Sequence, residues 1–196
     1  MTYYERNLPH WLPEHSTFFV TWRLHGSLPL HGRTAGKGCG TPAESRKETA
    51  GHRFARIDYQ LDRARCGPHW LKEPKIAGRV VELMKKGDEQ LGYFSLYAFV
   101  VMPNHVHILF APKIELKRIM NGLKGTTARE ANRILERTGK AFWQDESYDH
   151  CVRSDEEFGK IGRYIENNPV SAGLVKRPEE WPWSSAAKSR NPTDHV

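Results

Sequence analysis

Two histidines separated by a single residue are the first feature of the sequence that could do chemistry. His105 and His107 lie in the run HVHILF, whose β-branched and aromatic residues predict a strand. Because side chains alternate along a strand, both imidazoles point from one face. Such a pair can hold a divalent metal, although two histidines satisfied by hydrogen bonds on a sheet surface give the same pattern. A third ligand must decide between these interpretations.

A helix nearer the C-terminus supplies candidates for that third group. In the run EEFGKIGRYIENNP, Tyr164 and Asn168 are one helical turn apart and share a face. We predict a helix from about Asp155 to Asn168 that Pro169 stops. The same pattern fits an ordinary half-buried tyrosine followed by an asparagine that ends the helix. Only the combination with the two histidines favours a functional site.

The elements that must position these residues can be read from hydrophobic periodicity. Strand-like alternation occurs over 16–26, two apolar runs in 93–112 predict a central hairpin, and helical spacing recurs over 52–65, 73–91 and 115–137. This order indicates one α+β domain over 1–196 in which helices cover an antiparallel sheet. The Gly- and Ser-rich stretch at about 30–51 predicts a flexible insertion, and an aromatic tail begins at about 178.

Composition narrows the class of protein. The chain has 196 residues, and 38% of them are hydrophobic, which is enough for a compact core. Its formal charge of +7 favours a polyanionic partner. Three cysteines, Cys39, Cys66 and Cys151, form no CxxC pair and fit a reduced cytoplasmic protein. No run is apolar for long enough to predict a signal peptide or a membrane helix.

The motifs together resemble one family. Three segments carry this resemblance: PNHVHILF, QDESYDH and YIENNPVSAGLV. The chain resembles the REP-associated tyrosine transposases, a branch of the single-tyrosine HUH transposases that act on single-stranded DNA. The resemblance extends over most of the chain, from FFVTWRLHG to EEWPWSSA. It implies a ferredoxin-like or RRM-like sandwich, the HUH nuclease fold, with a central antiparallel sheet and packed helices.

The resemblance also assigns roles to residues. His105 and His107 would bind a divalent metal, Mg²⁺ or Mn²⁺, and Asn168 matches the polar residue that completes the metal site in related enzymes. Tyr164 would be the nucleophile that cleaves DNA and leaves a 5′-phosphotyrosine linkage and a free 3′-hydroxyl. The expected partner is single-stranded or hairpin DNA from REP-type palindromic repeats. Such a protein would associate with the nucleoid when bound to DNA and act as a monomer or a homodimer.

These residue types suit the reaction. A divalent ion on a phosphate oxygen neutralises charge and stabilises the departing oxygen. Two imidazoles and an amide oxygen suit Mn²⁺ or hydrated Mg²⁺ and also accept Zn²⁺. A tyrosine phenolate can attack phosphorus and later leave, so the covalent intermediate stores the bond energy for strand transfer.

Further candidates have two interpretations each. A basic stripe on the third predicted helix could follow a phosphate backbone or could be a solvated face; it comprises Arg129, Arg133, Arg137, Lys117 and Lys124. His150 could have an auxiliary catalytic or phosphate-contacting role, or it could make a structural hydrogen bond.

Two other functions compete with the transposase. One is a catalytically inactive module that binds single-stranded nucleic acid on the same scaffold, for which basic and aromatic residues suffice. The other is a zinc hydrolase built on the two histidines. That hydrolase needs another His, Cys or carboxylate ligand at the site and makes Tyr164 incidental.

Overall fold

The computed structural model of the chain describes residues 16–28, 50–63 and 67–187. Within these ranges lie the strands and helices β1 (Phe18–Leu24), α1 (Ala50–Asp62), α2 (Pro74–Glu89), β2 (Phe94–Val101), β3 (His105–Pro112), α3 (Leu116–Ile134), β4 (Trp143–Cys151) and α4 (Asp155–Ser171). The insertion predicted at about 30–51 lies almost entirely outside the described residues. No helix in the described ranges is long and apolar enough to cross a membrane.

The four strands form one sheet in the order β2-β3-β1-β4, and every neighbouring pair is antiparallel. The predicted hairpin is confirmed, because β2 and β3 pair directly across a short turn. In the register of the two central strands, Thr21 lies opposite His107 and Arg23 lies opposite His105. This order and pairing confirm the α+β class and the ferredoxin-like arrangement.

The two faces of the sheet carry different layers. On one face Val20 and Trp22 pack with residues of α2 and α3 in the larger core. On the other face Phe19 packs with Phe54 of α1 and Ile165 of α4. The histidines of β3 alternate with Val106 and Ile108, which belong to the larger core, so they lie on the face that α1 and α4 cover.

Strand β4 has no counterpart among the sequence predictions. It runs along β1 at one end of the sheet, and its residues from Gln144 to Ser147 are polar and either partly buried or exposed. An edge strand with little buried surface lacks the apolar alternation that predicts strands. Its pairing with the apolar strand β1 therefore determines its conformation.

The prediction that Pro169 stops the last helix is wrong. Helix α4 continues through Pro169 to Ser171. Proline has no N–H, so this position lacks the hydrogen bond to the carbonyl of Ile165, yet the chain stays helical for two more residues. The helix instead ends where Gly173 adopts a φ of 71°, and Leu174 N–H donates to Pro169 O at 2.9 Å. This pattern is a Schellman cap, for which glycine is suited.

The C-terminal segment predicted as a tail pairs with the sheet. Val101 N–H donates to Trp183 O at 2.8 Å, and Ser185 N–H donates to Phe99 O at 2.9 Å. These bonds cover part of the outer edge of β2, which would otherwise present unpaired backbone groups. Ser185 Oγ also donates to Glu166 Oε1 of α4 at 3.1 Å, so the segment links that helix to β2.

Helix α2 approaches the sheet so closely at Gly87 that a larger side chain there should destabilise the fold. A Cβ added at Gly87 would lie 2.5 Å from the ring of Phe94, which is buried. We expect Gly87→Ala to lower the free energy of unfolding by about 1–3 kcal/mol through overpacking, as measured by urea denaturation. Gly122 of α3 is the matched control, because a Cβ there meets nothing within 4 Å. Gly122→Ala should raise stability by up to about 1 kcal/mol, and equal effects of the two substitutions would contradict the packing argument.

Candidate active site

The histidine pair of β3 forms the centre of the site. Both side chains are fully buried, and their Nε2 atoms face each other at 3.0 Å. The alternation of the strand places them on one face, as the sequence pattern predicts. Two nitrogens at this distance can both bind one metal ion when neither of them carries a proton.

Asn104, the residue before the pair, sets the tautomer of His105. Its amide Nδ2 donates to Leu61 O at 3.1 Å, which leaves Oδ1 facing His105 Nδ1 at 2.7 Å. An amide oxygen only accepts, so the proton of His105 must be on Nδ1. The Nε2 atom of His105 therefore presents its lone pair to the centre of the site.

His107 has a partner that tolerates either tautomer. Its Nδ1 lies 2.7 Å from Thr21 Oγ1, and a hydroxyl can donate or accept. When Thr21 donates to Nδ1, the proton of His107 is on Nε2 and can be donated to His105 Nε2. When Thr21 accepts instead, both Nε2 atoms are free to bind a cation.

Two carboxylates of α1 complete a four-residue cluster that the sequence analysis missed. Asp58 Oδ1 lies 3.4 Å from His107 Nε2 and 4.0 Å from His105 Nε2, and Asp62 Oδ1 lies 3.4 Å from His105 Nε2. One ligand atom from each of the four residues lies within 4.8 Å of all the others. The sequence did carry a signal, since Phe54, Asp58 and Asp62 are each one turn apart on the face that α1 buries.

The electrostatics of the cluster favour a bound cation. Burial raises the pKa of the Asp58 carboxyl to about 8, and the nearby Asp62 carboxylate adds to this rise. Burial also lowers the pKa of His107 well below its ordinary value, and His105 contributes. Without a cation these effects favour neutral imidazole and protonated Asp58, whereas a divalent cation favours the ionised carboxylate.

Helix α4 brings the predicted tyrosine and asparagine to the same place. Asn168 is buried, and its Nδ2 lies 3.5 Å from His107 Nε2 and 3.4 Å from Tyr164 Oη. The Tyr164 ring contacts those of His107 and Phe19, with centroids 5.6 and 6.1 Å away, yet 37% of the residue is exposed. The phenol thus sits beside the buried cluster and remains accessible to a large substrate.

His150 lies on the same face but contacts a different group. Its Nε2 lies 2.8 Å from Glu157 Oε1 in the first turn of α4, and Glu157 Oε2 accepts from Arg153 N–H at 2.7 Å. These bonds lower the pKa of the Glu157 carboxyl, the bond from the Arg153 backbone most of all. The structure thus shows a structural hydrogen bond for His150, while an auxiliary catalytic role stays a prediction.

The basic stripe is not brought to the histidine cluster. Helix α3, which carries it, packs on the opposite face of the sheet. Lys124 Nζ donates to Gln144 O and Asp145 O, each at 2.8 Å, and the Arg137 guanidinium lies 3.7 Å above the Trp70 ring. Lys117, Arg129 and Arg133 are exposed.

The residues present suit a divalent metal. Within the described ranges, Asp58 Oδ1, Asp62 Oδ1 and Asn168 Oδ1 are buried without a hydrogen-bond partner. Buried polar atoms are costly unless something satisfies them. Imidazole nitrogens and carboxylate or amide oxygens are ligands that Mn²⁺, hydrated Mg²⁺ and Zn²⁺ all accept. The arrangement therefore has the donor set of a mixed nitrogen and oxygen metal site.

Fold and site together place the chain among α+β proteins that carry a buried histidine pair beside a helix-borne tyrosine. Comparison with known families supports the same class. Residues 69–168, just over half of the chain, match the family described as Transposase IS200 like, and the chain belongs to that family. The resemblance expected from the motifs is thereby confirmed.

Two curated relatives and one solved structure agree with this assignment. The chain is 27% identical over 93 residues to the REP-associated tyrosine transposase of Escherichia coli K12 and over 103 residues to a Haemophilus influenzae protein that carries the same family name. Each alignment covers 47% of this chain and 54% and 58% of the respective relatives, so the chain spans little more than half their length.

The solved structure is a REP-associated tyrosine transposase bound to a REP hairpin. It superposes with a TM-score of 0.55 at 19% identity, covering 94% of this chain and 82% of that one. Identity at this level shows the fold, and it supports the ferredoxin-like sandwich.

The hydrogen bond of Asn104 makes a spectroscopic prediction. We expect ¹⁵N side-chain NMR of the metal-free protein to show His105 protonated on Nδ1 and not on Nε2. Asn104→Ala removes the acceptor, so the Nε2–H tautomer should gain population and metal affinity should fall by about 10–100-fold. Asn121→Ala, an exposed change on α3, is the control. An Nε2–H tautomer for His105 in the unmutated protein would refute this assignment.

Proposed function

We propose that this protein is a metal-dependent single-strand DNA endonuclease and strand transferase, a transposase that works through a covalent 5′-phosphotyrosine. The carrying observation is the position of Tyr164, partly exposed and in ring contact with the buried His107. A nucleophile next to a cation site is the arrangement that phosphodiester cleavage requires. Membership of the Transposase IS200 like family supports the same activity.

The proposed step uses groups of this chain in defined roles. Tyr164 Oη attacks the phosphorus and loses its proton to the solvent that reaches the exposed phenol. The bond between phosphorus and the 3′ oxygen breaks, and that oxygen takes up a proton to become a free 3′-hydroxyl. In strand transfer a 3′-hydroxyl attacks the phosphotyrosine and restores the phenol. The Asn168 amide lies 3.4 Å from Oη, so this side chain is next to the attacking oxygen.

The metal site would use His105, His107 and Asn168. A half turn of the Asn168 amide exchanges its two terminal atoms, which brings its oxygen to the position 3.5 Å from His107 Nε2. Mg²⁺ or Mn²⁺ bound there would neutralise charge on the scissile phosphate and stabilise the departing oxygen. All three side chains are buried, so the packing around them holds the ligand atoms in place.

The proposed partner is single-stranded or hairpin DNA of the REP or palindromic type. The solved transposase that shares the fold is bound to a REP hairpin, and the charge of +7 suits a polyanion. We propose that the protein acts on this DNA as a monomer or a homodimer. A catalytically inactive module would bind the same DNA without cleaving it.

A metal hydrolase is the second candidate function. It requires a further ligand at the histidine pair, and the carboxylates of Asp58 and Asp62 provide one. In that reaction a metal-activated water would cleave the substrate, and Tyr164 would be dispensable. The two candidates therefore differ in what loss of the Tyr164 hydroxyl does.

Tyr164→Phe tests the proposed nucleophile. We expect the variant to form no DNA–protein adduct and to lose cleavage by at least about 1,000-fold, because the attacking oxygen is gone. The measurement is a denaturing gel of 3′-labelled hairpin oligonucleotides with Mg²⁺ or Mn²⁺, in which the adduct keeps the label. Tyr97→Phe removes a hydroxyl from an exposed tyrosine of β2 and should leave the adduct unchanged. Cleavage that survives in Tyr164→Phe would favour the hydrolase, and binding without cleavage by the unmutated protein would favour the inactive module.

We further propose that the exposed side chains of α3 bind the DNA backbone. Of the five basic residues predicted to bind DNA, Arg137 and Lys124 make intramolecular contacts, so Lys117, Arg129 and Arg133 are the stronger candidates. Removing the charge of one such side chain should weaken binding equally for all DNA sequences and reduce the slope of log affinity against log salt by roughly 1.

Fluorescence anisotropy with a labelled hairpin over a series of salt concentrations measures this slope. Lys160→Gln is the control, because Lys160 is an exposed lysine of α4 that pairs with Glu156. Unchanged slopes for both Arg129→Gln and Arg133→Gln would show that α3 is a solvated face.

A further inference from the structure

We infer that Asp58 and Asp62 of helix α1 are metal ligands, so that the bound ion joins α1 to the histidines of β3. This inference rests on the metal site of the proposed function and adds ligands to it. Both aspartates lie outside residues 69–168, the part of the chain that matches the transposase family. The family assignment therefore gives them no role, and the geometry of this chain must supply one.

The carboxylate oxygens lie close to the Nε2 atoms of both histidines. Asp58 Oδ1 is 3.4 and 4.0 Å from the two Nε2 atoms, which are themselves 3.0 Å apart. Metal–ligand bonds of about 2 Å place ligand atoms at separations of this size around one ion. A cation among these atoms therefore needs only small side-chain rotations to reach the carboxylate and both imidazoles.

One oxygen of each carboxylate has no hydrogen-bond partner among the described residues. Both Oδ1 atoms are buried and accept no hydrogen bond, and Asp58 is only 3% exposed. In the described ranges their charged neighbours within 4 Å are the two histidines, and no lysine or arginine pairs with them. A buried carboxylate without a cation is rare, because its desolvation is not compensated.

Helix α1 contacts the rest of the fold at both of its ends. Phe54 packs on Phe19 and Tyr148 at one end of the helix, and Leu61 O accepts from Asn104 at the other. Asp58 lies between these points and Asp62 directly follows Leu61, and both side chains reach the histidines of β3. A cation bound by both groups and by the histidines would add a cross-link between α1 and the sheet.

The two aspartates should contribute unequally. Asp58 approaches both histidines, whereas Asp62 approaches only His105 and its side chain is 18% exposed. We expect Asp58→Asn to weaken Mn²⁺ binding by at least about 10-fold and Asp62→Asn to weaken it less. Asp88→Asn, a matched change on α2 at the other face of the sheet, should bind as the unmutated protein does.

The experiment uses Mn²⁺ alone with the full-length protein, without DNA. Titration followed by EPR gives the affinity and the stoichiometry, and ¹³C-aspartate labelling tests direct ligation. A ¹³C hyperfine coupling to Mn²⁺ that weakens in Asp58→Asn and disappears in the double variant Asp58→Asn, Asp62→Asn is the expected result. Because no cleavage is measured, a failure of the tyrosine chemistry leaves this result intact.

Hydrogen exchange tests the cross-link itself. Mn²⁺ should slow amide exchange across residues 54–62 in the unmutated protein, and the double variant Asp58→Asn, Asp62→Asn should lose this protection. The inference is overturned if Mn²⁺ binds equally well to Asp58→Asn, or if it binds the unmutated protein with no ¹³C-aspartate coupling. Absence of any Mn²⁺ binding would overturn it together with the metal site of the proposed function.

Discussion

The need of buried polar atoms for a partner is the constraint on which this site depends. Nearly all buried donors and acceptors in folded proteins are satisfied, yet three side-chain oxygens around the histidine pair have no hydrogen bond. They come from two helices, α1 and α4, that sit on one face of the sheet. A cation bound at the histidine pair would give the two aspartate oxygens a partner, so the cost of their burial and the proposed affinity for metal have the same origin.

The groups around the cluster are fixed by bonds that lie outside it. Ser154 Oγ accepts from Glu157 N–H at the start of α4, and His150 ties the same turn to β4. At the other end the Schellman cap ends the helix, and Ser185 holds Glu166. The helix is thus anchored to both outer strands of the sheet, β4 and β2. Tyr164 therefore has a defined position on this helix, as the proposed attack on phosphorus requires.

Local periodicity explains which parts of the molecule the sequence could predict. His105 with His107 and Tyr164 with Asn168 are each set by the repeat of a single strand or helix, so their shared faces could be predicted from spacing. The Asp58 and Asp62 carboxylates reach the histidines only through the rotation and docking of α1, which tertiary packing determines. Strand β4 also depends on a neighbour, because its own residues lack apolar alternation. The prediction from Pro169 was wrong because α4 passes through the proline and ends only at the cap formed by Gly173, so the proline alone did not locate the helix end.

The boundary of the family match is not a boundary of the fold. The matched segment, residues 69–168, holds His105, His107, Tyr164 and Asn168. It excludes β1, which lies between β3 and β4 and supplies Thr21 to His107. Without β1, strand β4 would have no partner in the sheet, and β3 would be paired only with β2. The chemistry proposed for the family segment therefore requires residues N-terminal to it, both for the fold and for the proposed ligand atoms of α1.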